Sequence, residues 1–223
     1  MAFNNNLTDS INDTAAGLKL SKSVVLPNTS GTGIKLNTVS PAFGWCDLIG
    51  PLNAKSTGAT AAPLNVFRNN ILAYQMDTTG RQFYVVYHIP HDYAPGSDMY
   101  LHVHWAHNSA SVTTGAVTWA YEATYAKGFD QAAFPASVSG TITQNASTVQ
   151  YQHMVAEGQF STAGGSASLL NTTNIEVDGL ILLTLNMSAN TMSASTDPFV
   201  FTADIHYQST GITTKNKAPN FYT

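Results

Sequence analysis

The chain has 223 residues with nine Lys and Arg against thirteen Asp and Glu, a formal charge of −4, and only 10% charged residues, where a soluble domain averages about 25%. That length buries a real core in one compact domain, and the lack of a basic stripe able to neutralise a row of phosphates excludes direct nucleic-acid binding. Cys46 is the single cysteine, which excludes an intrachain disulfide and a thiolate metal site.

In chain order, residues 1–40 are dominated by Asn, Thr, Ser, Gly and Lys, with Phe3 the only aromatic. The expectation is an extended N-terminal arm, flexible alone and ordered only by docking on a partner subunit. No basic region followed by an apolar core marks an export signal, and the longest apolar run, Leu180 to Leu185, is far short of a membrane span. Residues 41–79, broken by Pro41, Pro51 and Pro63, read as an irregular packed connection with room for short strands, anchored by Phe43, Trp45, Leu48, Ile49, Val66, Phe67 and Ile71. Cys46 within it reads as a packed thiol, with no histidine beside it to activate a nucleophile.

From Arg81 onward, period-two alternation predicts eight strands, at 82–89, 98–105, 116–125, 138–143, 148–160, 179–187, 190–195 and 199–208. Turn residues such as Pro95-Gly96-Ser97-Asp98, Thr114-Gly115, Gly164-Gly165 and Asp197-Pro198 bound them, and no apolar spacing of three and four indicates helix. The predicted fold is all-β, a jelly-roll-like antiparallel β-sandwich over 80–223 ending in a C-terminal tail. Trp119, Tyr121 and Tyr125 share one strand face, and Phe199, Phe201, Ile205 and Tyr207 share another, so both sets are expected in the core. Exposed rings would instead make a carbohydrate-binding platform.

The densest chemistry lies between His88 and Trp105, which holds four of the seven histidines. Strand alternation puts His102 and His104 on one face with Tyr100, half of a metal site of the cupin kind, with Gly96 upstream. The Glu that such a site needs after His104 is missing: Asn108 and Ser109 stand there. Glu122, Asp204 and His206 complete a site only if their strands lie beside 98–105. His102, His104 and His206 are therefore the metal candidates. Against them stands the expectation that these side chains are satisfied by backbone carbonyls, tyrosine hydroxyls or waters. A third possibility puts a histidine on a trimer axis, where three copies meet one ion.

No catalytic set emerges: Gly-x-Ser-x-Gly and the phosphate-binding Gly loop are absent, and Glu157 with Glu176, or Asp204 with Glu122, are carboxylates of unknown separation. The chain is expected to be neither an enzyme nor dependent on a cofactor.

The stretches HIPHDYAPGSDMYLHVHWAHN, GAVTWAYEATYAKGFDQAAF and DPFVFTADIHYQSTGITTKNKAPNFY resemble a family of virion structural proteins of tailed bacteriophages, as does GTGIKLNTVSPAFGWCDLIG near residues 33–49. The resemblance implies a place in the virion and brings no catalytic residues. Two roles compete. As a capsid decoration or cement protein, the chain forms homotrimers on the major capsid protein, its arm crossing subunit seams, and a surface of few charges suits such packing. As a tail, fibre or adhesin component, it anchors to tail proteins and its loops meet a host-surface glycan.

Overall fold

The computed structural model describes residues 11–14, 17–20, 43–54, 61–129, 132–214 and 216–221. The chain divides into two units, Met1–Leu36 and Asn37–Tyr222. In the first, β1 (Ile11–Thr14) and β2 (Gly17–Leu20) pair antiparallel. Residues 11–14 and 17–20 of the expected arm are thus a strand pair; the rest of that arm, and its docking, lie outside the described residues.

The second unit contains β3 (Gly44–Gly50), β4 (Asn53–Ala54), β5 (Leu64–Arg68), β6 (Ile71–Gln75), β7 (Gln82–His88), β8 (Tyr100–Ala106), β9 (Ala116–Ala126), β10 (Val138–Asn145), β11 (Met154–Gln159), β12 (Ser161–Thr162), β13 (Leu170–Asn171), β14 (Leu180–Asn190) and β15 (Phe199–Ser209). One sheet runs β11-β8-β15-β6-β5, with β3 also pairing β15; the other runs β10-β9-β14-β7-β4. Every pairing inside these two sheets is antiparallel.

The eight long strands pair in nested order: β3 with β15, β7 with β14, β8 with β11, and β9 with β10. A chain that pairs its first strand with its last and works inward, alternating between two sheets, is a jelly roll. The all-β, jelly-roll-like sandwich expected from alternation is the fold.

The inner faces follow from that alternation. Phe83, Val85 and Tyr87 of β7, Trp119 and Tyr121 of β9, and Ile181, Leu183 and Leu185 of β14 meet Leu101, Val103 and Trp105 of β8 and Ala203 and Ile205 of β15, all buried. Trp105 and Trp119 meet edge to face at 5.9 Å between ring centroids, joining the sheets. The Trp105 indole N–H donates to Gln144 Oε1 at 2.6 Å, and the Tyr87 hydroxyl donates to the Ala203 carbonyl at 3.1 Å, so these buried polar tips are satisfied.

Four expectations are corrected. The separate strand expected at 190–195 does not form, because β14 ends at Asn190: the Asn190 side chain accepts from the Met192 N–H at 3.1 Å and donates to the Thr196 carbonyl at 2.8 Å, closing a local turn that competes with the ladder. The remaining jelly-roll strand is β3, inside the stretch read as connection, where β5 and β6 also lie. Its alternation is masked because Trp45 and Ile49 are exposed on its outer side. Cys46 of β3 is likewise exposed, not packed.

The fourth correction is Phe201. The β15–β8 register shifts between Val200 and Thr202, and the extra residue turns Phe201 out of the core at 38% exposure while Phe199 and Val200 are both buried. Phe201 packs instead on Phe67, 5.0 Å between centroids.

Gly115 leads into β9 with φ of +105°, and a Cβ there would lie 2.2 Å from the Thr191 carbonyl oxygen. Gly115→Ala is expected to lower unfolding free energy by about 1–3 kcal/mol in urea titrations. Gly80→Ala, also at positive φ but with nothing within 4 Å of the added Cβ, should lose less; equal losses would contradict the steric account.

Candidate functional site

The alternation that buries Leu101, Val103 and Trp105 turns Tyr100, His102 and His104 to the outer face of the β8 sheet. β15 does the same beside it, with Ala203 and Ile205 inward and Asp204 and His206 outward. The register sets Asp204 opposite His102 and His206 opposite Tyr100. On the other flank of β8, Glu157 of β11 stands opposite His102, and beyond β15 Asp47 of β3 stands opposite His206. Four strands therefore bring six chemistry-bearing residues, from positions 47 to 206, onto one patch.

His102 Nε2 lies 2.8 Å from Glu157 Oε2, and its Nδ1 lies 3.4 Å from Asp204 Oδ2. His104 Nε2 lies 2.9 Å from Asp204 Oδ1, while its Nδ1 meets His153 Nε2 at 2.8 Å. The His153 ring, from the residue before β11, stacks on His104 at 5.0 Å. His206 sits 4.8 Å from the His102 ring, with its Nε2 3.7 Å from Asp47 Oδ1, and Trp45 covers it at 5.0 Å.

Asp204 is the electrostatic centre. It is 2% exposed although it points away from the core, and burial raises its pKa against the opposing pull of His104 and His102. Burial likewise lowers the pKa of His104, aided by His153 and His102 and opposed by Asp204. Asp204 Oδ2 accepts no hydrogen bond.

His102, His104 and His206, the three sequence candidates, are thus brought together. Their partners are the carboxylates of Glu157, Asp204 and Asp47 and, for His104, the His153 imidazole, beside the expectation of backbone carbonyls, tyrosine hydroxyls or waters. The missing carboxylate is Asp204, supplied by the neighbouring strand and not from downstream of His104. Asp204-x-His206 was legible as one strand face; what no spacing revealed is that β15 lies beside β8.

Other expected members lie elsewhere. His88 and His91 approach Asp178 at 3.3 and 3.0 Å, so the sequence cluster of four histidines separates into two sites. Glu122 is on the outer face of the opposite sheet, hydrogen-bonded to Ser137. Glu176 pairs with Lys127 at 3.3 Å. His153, Asp47 and the pairing of Glu157 with His102 were missed by sequence reasoning, because each depends on register. A cupin-like pocket between the sheets is not formed by these residues: the imidazoles face outward, and the space between the sheets is filled by apolar side chains.

A second surface feature is apolar. Leu64, Val66, Ile71 and Leu72 of the β5–β6 hairpin are each more than half exposed, as is Ile49 of β3 in the same sheet. Of the aromatics expected in the core, Trp119, Tyr121, Tyr125, Phe199 and Tyr207 are buried; among the described residues the exposed rings are Phe129 and Phe134, in the β9–β10 connection, with Trp45, Tyr84 and Phe201.

No family model matches the chain, and no curated protein matches it. Among solved structures it is similar to a carbohydrate-binding module specific for non-crystalline cellulose, at 11% identity and a TM-score of 0.32, covering 71% of this chain and 79% of that one. A likeness of that size carries no argument about function.

Proposed function

We propose that this chain is a bacteriophage virion structural protein, a decoration or cement protein that stabilises the head as a homotrimer on the major capsid protein. The observation that carries it is the apolar β5–β6 hairpin and Ile49 left on the outside of a jelly roll that already has a complete core. Apolar side chains grouped on a surface mark an interface. The low charge of the chain removes the long-range repulsion that would keep copies apart. The resemblance of residues 80–223 to tailed-phage virion proteins supports the same reading.

The mechanism is mechanical. Each trimer adds buried interface across neighbouring capsid subunits, so expansion or rupture of the shell must break more contacts. Deleting residues 1–40 is expected to abolish binding to expanded capsids in a sedimentation assay while circular dichroism retains the β signature. A truncated protein that still saturates capsids would sink the arm's part in this reading.

Phe129 and Phe134, exposed in the β9–β10 connection, favour a second reading as a tail or fibre component touching a host-surface glycan. A glycan array distinguishes the two: binding lost on Phe134→Ala supports the adhesin, and no binding supports the decoration protein.

A further inference from the structure

We propose that His102 Nδ1, His104 Nε2 and the Asp204 carboxylate bind one divalent transition-metal ion, zinc in chemical class, on the outer face of β8 and β15. This goes beyond the structural role above and stands apart from it, because all three ligands come from one chain.

The hydrogen-bond assignments point to a cation. Glu157 Oε2 lies 2.8 Å from His102 Nε2, and in the neutral ring that donates there Nδ1 carries the lone pair. That lone pair faces Asp204 Oδ2 at 3.4 Å, an oxygen that accepts no hydrogen bond. A cation held between the two atoms, a proton or a metal ion, satisfies both, and a metal ion is also within reach of His104 Nε2, 2.9 Å from the other oxygen of the same carboxylate. Asp204 is almost wholly buried, where a lone carboxylate is costly without a compensating positive charge.

The distances fit as well. Ligands about 2.0–2.1 Å from a tetrahedral zinc stand about 3.3 Å apart; His102 Nδ1 stands 3.4 Å from Asp204 Oδ2 and His104 Nε2 stands 2.9 Å from Asp204 Oδ1, so each imidazole meets its own oxygen of the carboxylate. Ligating atoms of His102, His104 and Asp204 all lie within 4.8 Å of one another.

The surrounding groups supply what metal-bound imidazoles require, a partner for the other ring nitrogen. Glu157 serves His102, and His153 Nε2, 2.8 Å from His104 Nδ1, serves His104. Two imidazoles and one carboxylate select a borderline first-row ion over calcium or magnesium, which take oxygen ligands. Three protein ligands leave a coordination position for water.

Asp47, His102 and His206 form a competing group with ligating atoms within the same 4.8 Å. It lacks the unpartnered buried oxygen, and its His206–Asp47 contact is longer, 3.7 Å. Since both groups use His102, variants at the other positions tell them apart.

The test is zinc binding to the untagged full chain, by elemental analysis after gel filtration and by competition with a chromophoric chelator. The expected result is about one zinc per chain, lost in Asp204→Asn and in His104→Ala, unchanged in His206→Ala and Asp47→Asn, and 10–100-fold weaker in Glu157→Gln. Absence of saturable zinc binding by the parent chain overturns the proposal. So does parental affinity in His104→Ala, or loss in His206→Ala and Asp47→Asn with retention in His104→Ala. Should Asp204→Asn fail to fold, Glu157→Gln decides: unchanged affinity there overturns the ligand assignment.

Discussion

Trp105→Ala is expected to lower unfolding free energy by about 3–5 kcal/mol, read from urea or thermal unfolding followed by circular dichroism. Trp105 is fully buried, packs edge to face on Trp119 from the opposite sheet, and donates its indole N–H to Gln144 of β10. Its removal empties space between the sheets and leaves Gln144 Oε1 without that donor. Since a domain's net stability is about 5–15 kcal/mol, this one change takes a large share of it. Trp45 is the control: it is 45% exposed on β3, and Trp45→Ala should cost far less than Trp105→Ala, because nearly half of its surface is already in water and it lies outside the core between the sheets. Comparable losses would mean that the Trp105–Trp119 contact does not hold the two sheets together.

The second large effect concerns association. Ile71→Asp with Leu72→Asp puts two carboxylates on the β5–β6 hairpin at side chains 62% and 55% exposed. Because water already covers more than half of each, the monomer should lose about 1 kcal/mol or less, whereas an interface that buries them would carry desolvated, unpaired charge. Light scattering of the parent is expected to give three times the 23.8 kDa chain mass, and the double variant is expected to give the single-chain mass while still unfolding cooperatively, its midpoint lowered by the loss of association. A parent that is monomeric throughout, or a variant that still forms trimers, would remove the hairpin from the interface.

How much of this was legible in the sequence depends on the kind of information each feature requires. The alternation of β7, β8, β9 and β14 was readable because one face of each is apolar and the other polar, which is what a half-buried strand produces. β3 was not, since its outward residues include Trp45 and Ile49, and a strand apolar on both faces has no period. Phe201 was assigned to the wrong face because a single extra residue in β15 reverses the alternation, and a bulge leaves no mark on local composition. The 190–195 segment alternates convincingly, yet Asn190 satisfies its own turn with side-chain hydrogen bonds.

The candidate site divides the same way. His102 and His104 on one face, and Asp204 and His206 on another, follow from spacing alone. That the two faces adjoin is a fact of strand order, and in a jelly roll the neighbours come from distant parts of the chain: β8 lies beside β15 and β11, not beside β7 or β9. The acidic partner of His104 therefore comes from β15 and not from the residues that follow it in the chain. Glu157 and His153 reach the site through the β11 register, for the same reason.

The central claim, a homotrimeric decoration protein of a virion head, is tested most directly by counting copies of this chain in purified particles by quantitative mass spectrometry. The account predicts a copy number in proportion to the major capsid protein, in multiples of three, matching the shell's local three-fold positions. A count matching the single tail, or absence of the chain from particles, would contradict it.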